Sequence, residues 1–241
     1  MGSTLQLVLV RHGQSVWNTQ HRLSGWADIG LTQRGRDQVA AAGQLLARSG
    51  FVFDEVYTSQ LRRASDSTEI VLRELACSAL PVYQEWRLNE RHYGALEGLG
   101  PVAAVLKFGF RQVIQCQRRF DVSPPPLALE DPRFPGNQSR FSEIPAECWP
   151  RAESMAQAWE RVEPVWNERM SPAVRAGRRL LVVAHKNTLR VLIKQISGLA
   201  GEQVERLAIR TAQPLIIEMN SNLELQRAYF LANQKPLIVS S

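Results

Sequence analysis

Hydrophobic residues along this chain fall into short solid runs and longer helical stripes, in alternation. Leu5–Val10, "LQLVLV", is too short for a helix and has the Leu and Val content of a buried strand. Thr32 reads as a helix N-cap, and 33–48 behind it carries Val39, Ala42, Leu45 and Leu46 at helical spacing before stopping at Gly50. Glu55–Thr58 predicts a short strand. Leu61, Ala64, Thr68, Val71, Leu72 and Leu75 share one face of a predicted helix over 61–75, and Leu80–Tyr83 predicts another strand. Further on, Met155, Trp159, Val162 and Trp166 mark a helix between 152 and about 170. Arg179–Ala184, "RLLVVA", is a second solid strand, followed by a helix over Thr188–Ile196 that ends at Gly198. Leu215–Met219 and Leu225–Leu231 complete the set as late strands.

Strands alternating with helices predict an α/β fold with a mostly parallel central sheet and helices on both faces. Residues 94–150 break the alternation. Pro124-Pro125-Pro126, Pro132, Pro135 and Pro145 punctuate the stretch, while Val105, Phe108, Phe110, Val113 and Ile114 predict one helix early in it. A linker between two domains is one reading. The other is an excursion, from a single domain spanning 1–241, that caps a site; the apolar content favours it.

Composition narrows the functional classes. The 241 residues carry a net charge of +6, yet the longest basic runs are pairs: Arg62-Arg63, Arg118-Arg119 and Arg178-Arg179. Scattered pairs interleaved with acids do not make a nucleic-acid face, so the excess points to small anionic ligands. No apolar run approaches the ~20 residues of a membrane span, and Met1–Gln6 lacks the features of a leader, so a cytoplasmic protein is expected. Three distant cysteines form no CxxC pair, and four histidines form no HExxH, so no metal is expected. Neither a GxxxxGK[ST] loop nor a GxGxxG turn is present.

Chemistry concentrates where strands end. Leu7–Val10 runs into Arg11-His12-Gly13, and Leu181–Ala184 runs into His185-Lys186-Asn187. In an open parallel sheet ligands bind beyond the carboxyl ends of strands, and the two histidines face each other if their strands are neighbours. After the strand ending at Thr58, Arg62 and Arg63 fall in the first turn of a helix, a natural phosphate site. "WRLNERHYG" sets the carboxylate of Glu90 among cations, as a proton-transfer group requires. His21 and His92 are read as structural or supporting.

The segments "LVLVRHGQSVWN", "SGWADIGLTQRG", "YTSQLRRA", "EWRLNERHYGALEGL", "RFDVSPPPL" and "VVAHKNTLR" together resemble the cofactor-dependent phosphoglycerate mutases of the histidine phosphatase superfamily, in order over most of the chain. The resemblance implies that His12 becomes phosphorylated, that Arg11, Arg63 and His185 surround the phosphoryl oxygens, and that Glu90 exchanges the proton. It implies substrate contacts from Asn18, Ser24, Gly25, Arg91, Tyr93, Arg118 and Asn187; Lys186, next to His185, is expected either to contact the substrate carboxylate or a phosphate oxygen in place of lost cations, or to point away or obstruct the pocket. It also implies 2,3-bisphosphoglycerate as the phosphorylating primer, small phosphorylated sugar acids as substrates, no metal, no nucleic acid or membrane, and a homodimer. Four positions depart from the family pattern: Pro101 replaces a substrate-binding lysine, Gln117 the first of two arginines, Lys186 a glycine and Ala212 another glycine. The core for phosphoryl transfer is intact and the shell recognising the carboxylate is altered. A mutase is the expected activity. A histidine phosphatase acting on a related small phosphomonoester and a non-catalytic phosphate-binding paralogue are the alternatives.

Overall fold

The computed structural model describes residues 4–237; the outermost residues of the N-terminal stretch considered above lie outside it. The elements in order are β1 (Leu5–Arg11), α1 (Val16–Thr19), α2 (Gln33–Arg48), β2 (Glu55–Thr58), α3 (Arg62–Glu74), β3 (Val82–Gln84), α4 (Pro101–Phe108), α5 (Phe110–Arg118), α6 (Met155–Val165), α7 (Ser171–Arg175), β4 (Leu180–Ala184), α8 (Lys186–Ser197), α9 (Gly201–Arg206), β5 (Leu215–Met219) and β6 (Leu225–Phe230). The strands form one sheet in the order β3-β2-β4-β1-β5-β6. β3, β2, β4 and β1 are mutually parallel, and β5 pairs antiparallel with β1 and with β6.

Period-two alternation explains the two faces. Leu7, Leu9, Leu180, Val182 and Ala184 point into a core closed by α6 and α8 residues such as Val162, Leu189 and Leu192. Val8, Val10, Leu181 and Val183 point the other way, onto Val39, Leu46 and Val71 of α2 and α3. Strands covered on both faces are apolar throughout, which is why β1 and β4 read as solid runs.

Boundaries differ from expectation where a distant group intervenes. β3 lies two residues further along than Leu80 because the Leu80 N–H is bonded to Cys77 O in the turn after α3, and Pro81 has no N–H to donate. The helix over 155–165 runs on through a π turn at Trp166–Met170 into α7. α8 begins at Lys186 rather than Thr188. Its N-cap, His185, has extended backbone and no capping side-chain bond, and the Glu90 carboxylate accepts the Asn187 N–H instead.

Residues 94–150 hold two helices, α4 and α5, separated at Gly109 with φ +80°, rather than one. The segment packs back over the loop 23–28. Phe141 and Ile144 sit against Trp26, and Arg140 pairs with Asp28 at 2.6 Å. α4 and α5 cluster with Leu23 and Tyr93. No helix among the described residues is long and apolar enough to cross a membrane.

Candidate active site

The register Arg11↔Ala184 brings the ends of β1 and β4 side by side, and the His12 N–H donates to Ala184 O at 3.0 Å. His12 and His185 therefore leave the sheet together, their ring centroids 5.1 Å apart. Gly13 is required by close approach: a Cβ there would lie 2.3 Å from Gly35 O, and one on Gly35 would lie 2.1 Å from Gln14 O. The two glycines seat the loop after His12 against the start of α2, so the imidazole is presented on a fixed backbone.

His12 Nδ1 lies 2.7 Å from Gly13 O. A carbonyl only accepts, so Nδ1 carries the proton and Nε2 is left with its lone pair. Burial holds the His12 pKa well below the ordinary histidine range, reinforced by Arg63 and Arg11 and opposed by the Gly13 carbonyl. The ring is a neutral nucleophile at neutral pH. His185 is likewise pushed well below its usual range, by burial first and then by Arg63, His12 and Arg11. Its Nε2 lies 2.7 Å from Ser59 Oγ, while Nδ1 has no partner among the described residues.

Arg63 is buried in the first turn of α3 and donates to Gly25 O at 2.7 Å and Ala27 O at 2.8 Å. Arg11 donates to Ile209 O at 2.9 Å. The Glu90 carboxylate accepts the N–H of Arg91 at 2.8 Å and of Asn187 at 3.2 Å. Its backbone carbonyl accepts from Trp26 Nε1 and Arg161 Nη2, so this turn is held on both sides. A buried Arg63, a partly buried Arg11 and a carboxylate around a neutral imidazole make an environment for phosphoryl transfer.

Of the residues singled out in the sequence, Arg11, His12, Asn18, Ser24, Gly25, Arg63, Glu90, Tyr93 and Lys186 line one cavity of about 160 Å³. Asn187 stands beside it, donating from Nδ2 to Tyr93 Oη at 2.9 Å. Asn18 Oδ1 is committed to the Ser15 N–H. Arg91 is buried behind Tyr93, its guanidinium 4.6 Å from that ring and bonded to Cys116 O. Arg118 is not among the lining residues; it sits exposed in the last turn of α5. Arg22 and Leu23 line the cavity without having been singled out.

Sequence reasoning also missed two supporting residues, although both lie in segments it quoted. Ser59 positions His185. Glu97, buried, accepts the Trp26 N–H at 2.8 Å and so braces the loop whose carbonyls hold Arg63. Gly25 fits there at φ +47° only because it has no side chain; a Cβ would lie 2.4 Å from Glu97 Oε2. Among the described residues no three His, Cys, Asp or Glu side chains are grouped to hold a metal ion.

Comparison with known proteins agrees with this geometry. The chain is 46% identical over 227 residues to the 2,3-bisphosphoglycerate-dependent phosphoglycerate mutase 1 of Nitrosomonas europaea, covering 94% of this chain and 97% of that one. It is 43% identical over 232 residues to the 2,3-bisphosphoglycerate-dependent phosphoglycerate mutase of Hamiltonella defensa, covering 96% and 93%. The solved structure of a mycobacterial glucosyl-3-phosphoglycerate phosphatase superposes with a TM-score of 0.71 at 20% identity, covering 98% of this chain and 100% of that one, a likeness of fold alone. The sequence profile of the histidine phosphatase superfamily (branch 1) matches residues 7–132 and 126–228, and the chain belongs to that family.

Proposed function

We propose that this chain interconverts 3-phosphoglycerate and 2-phosphoglycerate through a phosphohistidine on His12. The observation that carries this reading is the His12 imidazole, buried beside Arg11 and Arg63 with its proton held on Nδ1 by Gly13 O. The two relatives named mutases, at 46% and 43% identity over almost the whole chain, support a mutase rather than a plain phosphatase.

The donor set suits a bisphosphorylated primer. Arg11, Arg63, Lys186 and the free Nδ2 of Asn18 would hold 2,3-bisphosphoglycerate, which supplies the phosphoryl group that charges His12. When a bisphosphoglycerate charges His12, the Nε2 lone pair forms the N–P bond as one of its P–O ester bonds breaks. The leaving oxygen takes its electron pair and a proton from Glu90. In the transfer to substrate the C2 hydroxyl of 3-phosphoglycerate gives its proton to Glu90 and attacks phosphorus as the N–P bond breaks, freeing His12 and leaving a bisphosphoglycerate to be cleaved at C3. Arg11 and Arg63 stabilise charge on the equatorial oxygens. Ser59 Oγ, 2.7 Å from His185 Nε2, holds the ring beside His12; in the tautomer in which the hydroxyl donates to Nε2, Nδ1 carries the proton that would be offered to a phosphoryl oxygen. Residues 94–150 cap the cavity through the loop that holds Arg63.

Two measurements test this. Conversion of 3-phosphoglycerate is followed with and without primer; primer-dependent appearance of 2-phosphoglycerate in excess over free phosphate is expected. Phosphate release with no 2-phosphoglycerate would sink the mutase reading in favour of a phosphatase. Labelled primer should leave an acid-labile, alkali-stable label that a His12→Ala variant does not take up.

A further inference from the structure

Beside the 160 Å³ cavity lies a larger cleft of about 590 Å³, between the first turns of α8 and the segment joining α9 to β5. Its wall carries five cations, Arg11, Lys186, Arg190, Arg206 and Arg210, and no aspartate or glutamate. Arg190 is committed: its guanidinium donates to the carbonyls of Glu205 and Leu207 and to Asn187 Oδ1, which fixes the segment 205–207 against α8. Lys186, Arg206 and Arg210 form no ion pair with any carboxylate among the described residues. Arg206 and Arg210 are exposed and Lys186 is half-buried. Arg11 and Lys186 line both cavities, so the cleft and the catalytic pocket adjoin across these two cations.

A concavity lined by one sign of charge focuses its field and concentrates counter-ions. The donors of Lys186, Arg206 and Arg210 have no hydrogen-bond or ion-pair partner among the described residues, and those of the two arginines have the fork geometry that carboxylates and phosphates accept in pairs. Besides Arg11, Arg63 and Lys186 the catalytic pocket itself is lined by one further cation, Arg22. The first turn of α4 presents Pro101, and the end of α5 carries its cations exposed and away from the lining.

We propose that this cleft is the subsite for the substrate's second oxyanion. While His12 handles the phosphoryl group, Lys186, Arg206 and Arg210 receive the carboxylate or phosphate at the other end. The substrate class is then phosphomonoesters bearing a second anion, with room for polyanions longer than a three-carbon acid. The proposal rests on the phosphoryl-transfer reading given above. The same oxyanion chemistry could instead be met by a separate polyphosphate acting as an effector, and the mode of inhibition distinguishes the two sources.

The test uses phosphate, pyrophosphate and tripolyphosphate as inhibitors of 3-phosphoglycerate conversion. The wild type is compared with Arg210→Ser and with the Arg206→Ser/Arg210→Ser double variant. A control, Arg48→Ser/Arg175→Ser, removes the same charge from exposed positions that precede β2 and β4, at the far end of the sheet. In the wild type and the control, inhibition should be competitive and should tighten with chain length. In the double variant that tightening should disappear and KM for 3-phosphoglycerate should rise by about tenfold, the equivalent of one charge-assisted contact, with Arg210→Ser in between. Non-competitive inhibition, or tightening that survives in the double variant, overturns the subsite. Labelling of His12 by primer is read on the same proteins. If the wild type takes no label, the phosphoryl-transfer reading fails, and calorimetric binding of tripolyphosphate to wild type and double variant decides the subsite alone: equal affinities overturn it.

Discussion

Glu97 never touches the reacting atoms in this arrangement, yet the site depends on it through one loop. Its Oε2 accepts the Trp26 N–H at 2.8 Å, and Arg63 donates to the carbonyls on either side of Trp26, at Gly25 and Ala27. Burial pushes the Glu97 carboxyl up to about 7 from an ordinary 4.5, against the pull of the Trp26 N–H and of Arg133. Between those two values the folded state holds a proton that the unfolded state has lost, so stability falls as pH rises through the window. With those values the loss between pH 6 and pH 8 is about 1 kcal/mol. Glu97→Gln keeps the shape and an acceptor while removing the titration. Relative to the wild type the variant should therefore gain about 1 kcal/mol from pH 6 to pH 8, measured by urea denaturation followed through tryptophan fluorescence. The buried histidines titrate alike in both proteins, so the difference isolates Glu97. A gap that is the same at both pH values would refute the reasoning. Glu97→Ala goes further and orphans the Trp26 N–H, at a cost of about 1–3 kcal/mol. If Arg63 shifts by a comparable energy, kcat/KM falls roughly 5- to 150-fold, with Glu97→Gln retaining most of the activity. Lost stability with unchanged kcat/KM would make Glu97 a structural residue only.

Glu90→Gln should slow kcat by about 10²–10⁴-fold with KM nearly unchanged, since the amide cannot exchange the proton; a raised KM with normal kcat would reassign Glu90 to binding. His92 is pushed down to about 4 by burial, so the unfolded chain takes up a proton below 6.5 that the folded chain refuses. Stability should drop by about 2 kcal/mol from this residue between pH 7 and pH 5, and parallel pH profiles for wild type and His92→Gln would count against it. Gly13→Ala should cost roughly 1–3 kcal/mol by forcing a methyl against Gly35 O, and it should slow His12 labelling; an unaltered Tm would show that the contact relaxes freely. Burial, helped by Arg190 and Arg11, brings Lys186 down to about 8, so KM should climb between pH 7 and pH 9 as its charge is lost. Lys186→Arg should flatten that rise, and an identical rise in the variant would place the titration elsewhere.

What the sequence made legible was whatever a residue does to its immediate neighbours. Solid apolar runs marked β1 and β4 because both faces of those strands are covered, and the stripe through Val39, Ala42 and Leu46 marked α2 for the face it buries. Each histidine could be seen to follow such a run. That the two face each other is a property of the parallel β1–β4 pairing, which joins segments about 170 residues apart and depends on register rather than on either run. The misplacements share a cause. α8 starts two residues early because its capping acceptor, Glu90, comes from another part of the chain. Arg118 adjoins a family motif in sequence, but the helix direction of α5 turns it to solvent. Ser59 and Glu97 escaped for the same reason: each is a short polar side chain serving a distant partner, His185 Nε2 in one case and the Trp26 N–H in the other. Such bonds leave no periodicity, since a buried polar group needs only one partner of the right kind and that partner can lie anywhere in the chain. The reacting groups were legible because their chemistry restricts residue type at strand ends. The groups that aim them were not, because aiming is a demand of the assembled fold, and any residue able to accept or donate one well-placed hydrogen bond can meet it.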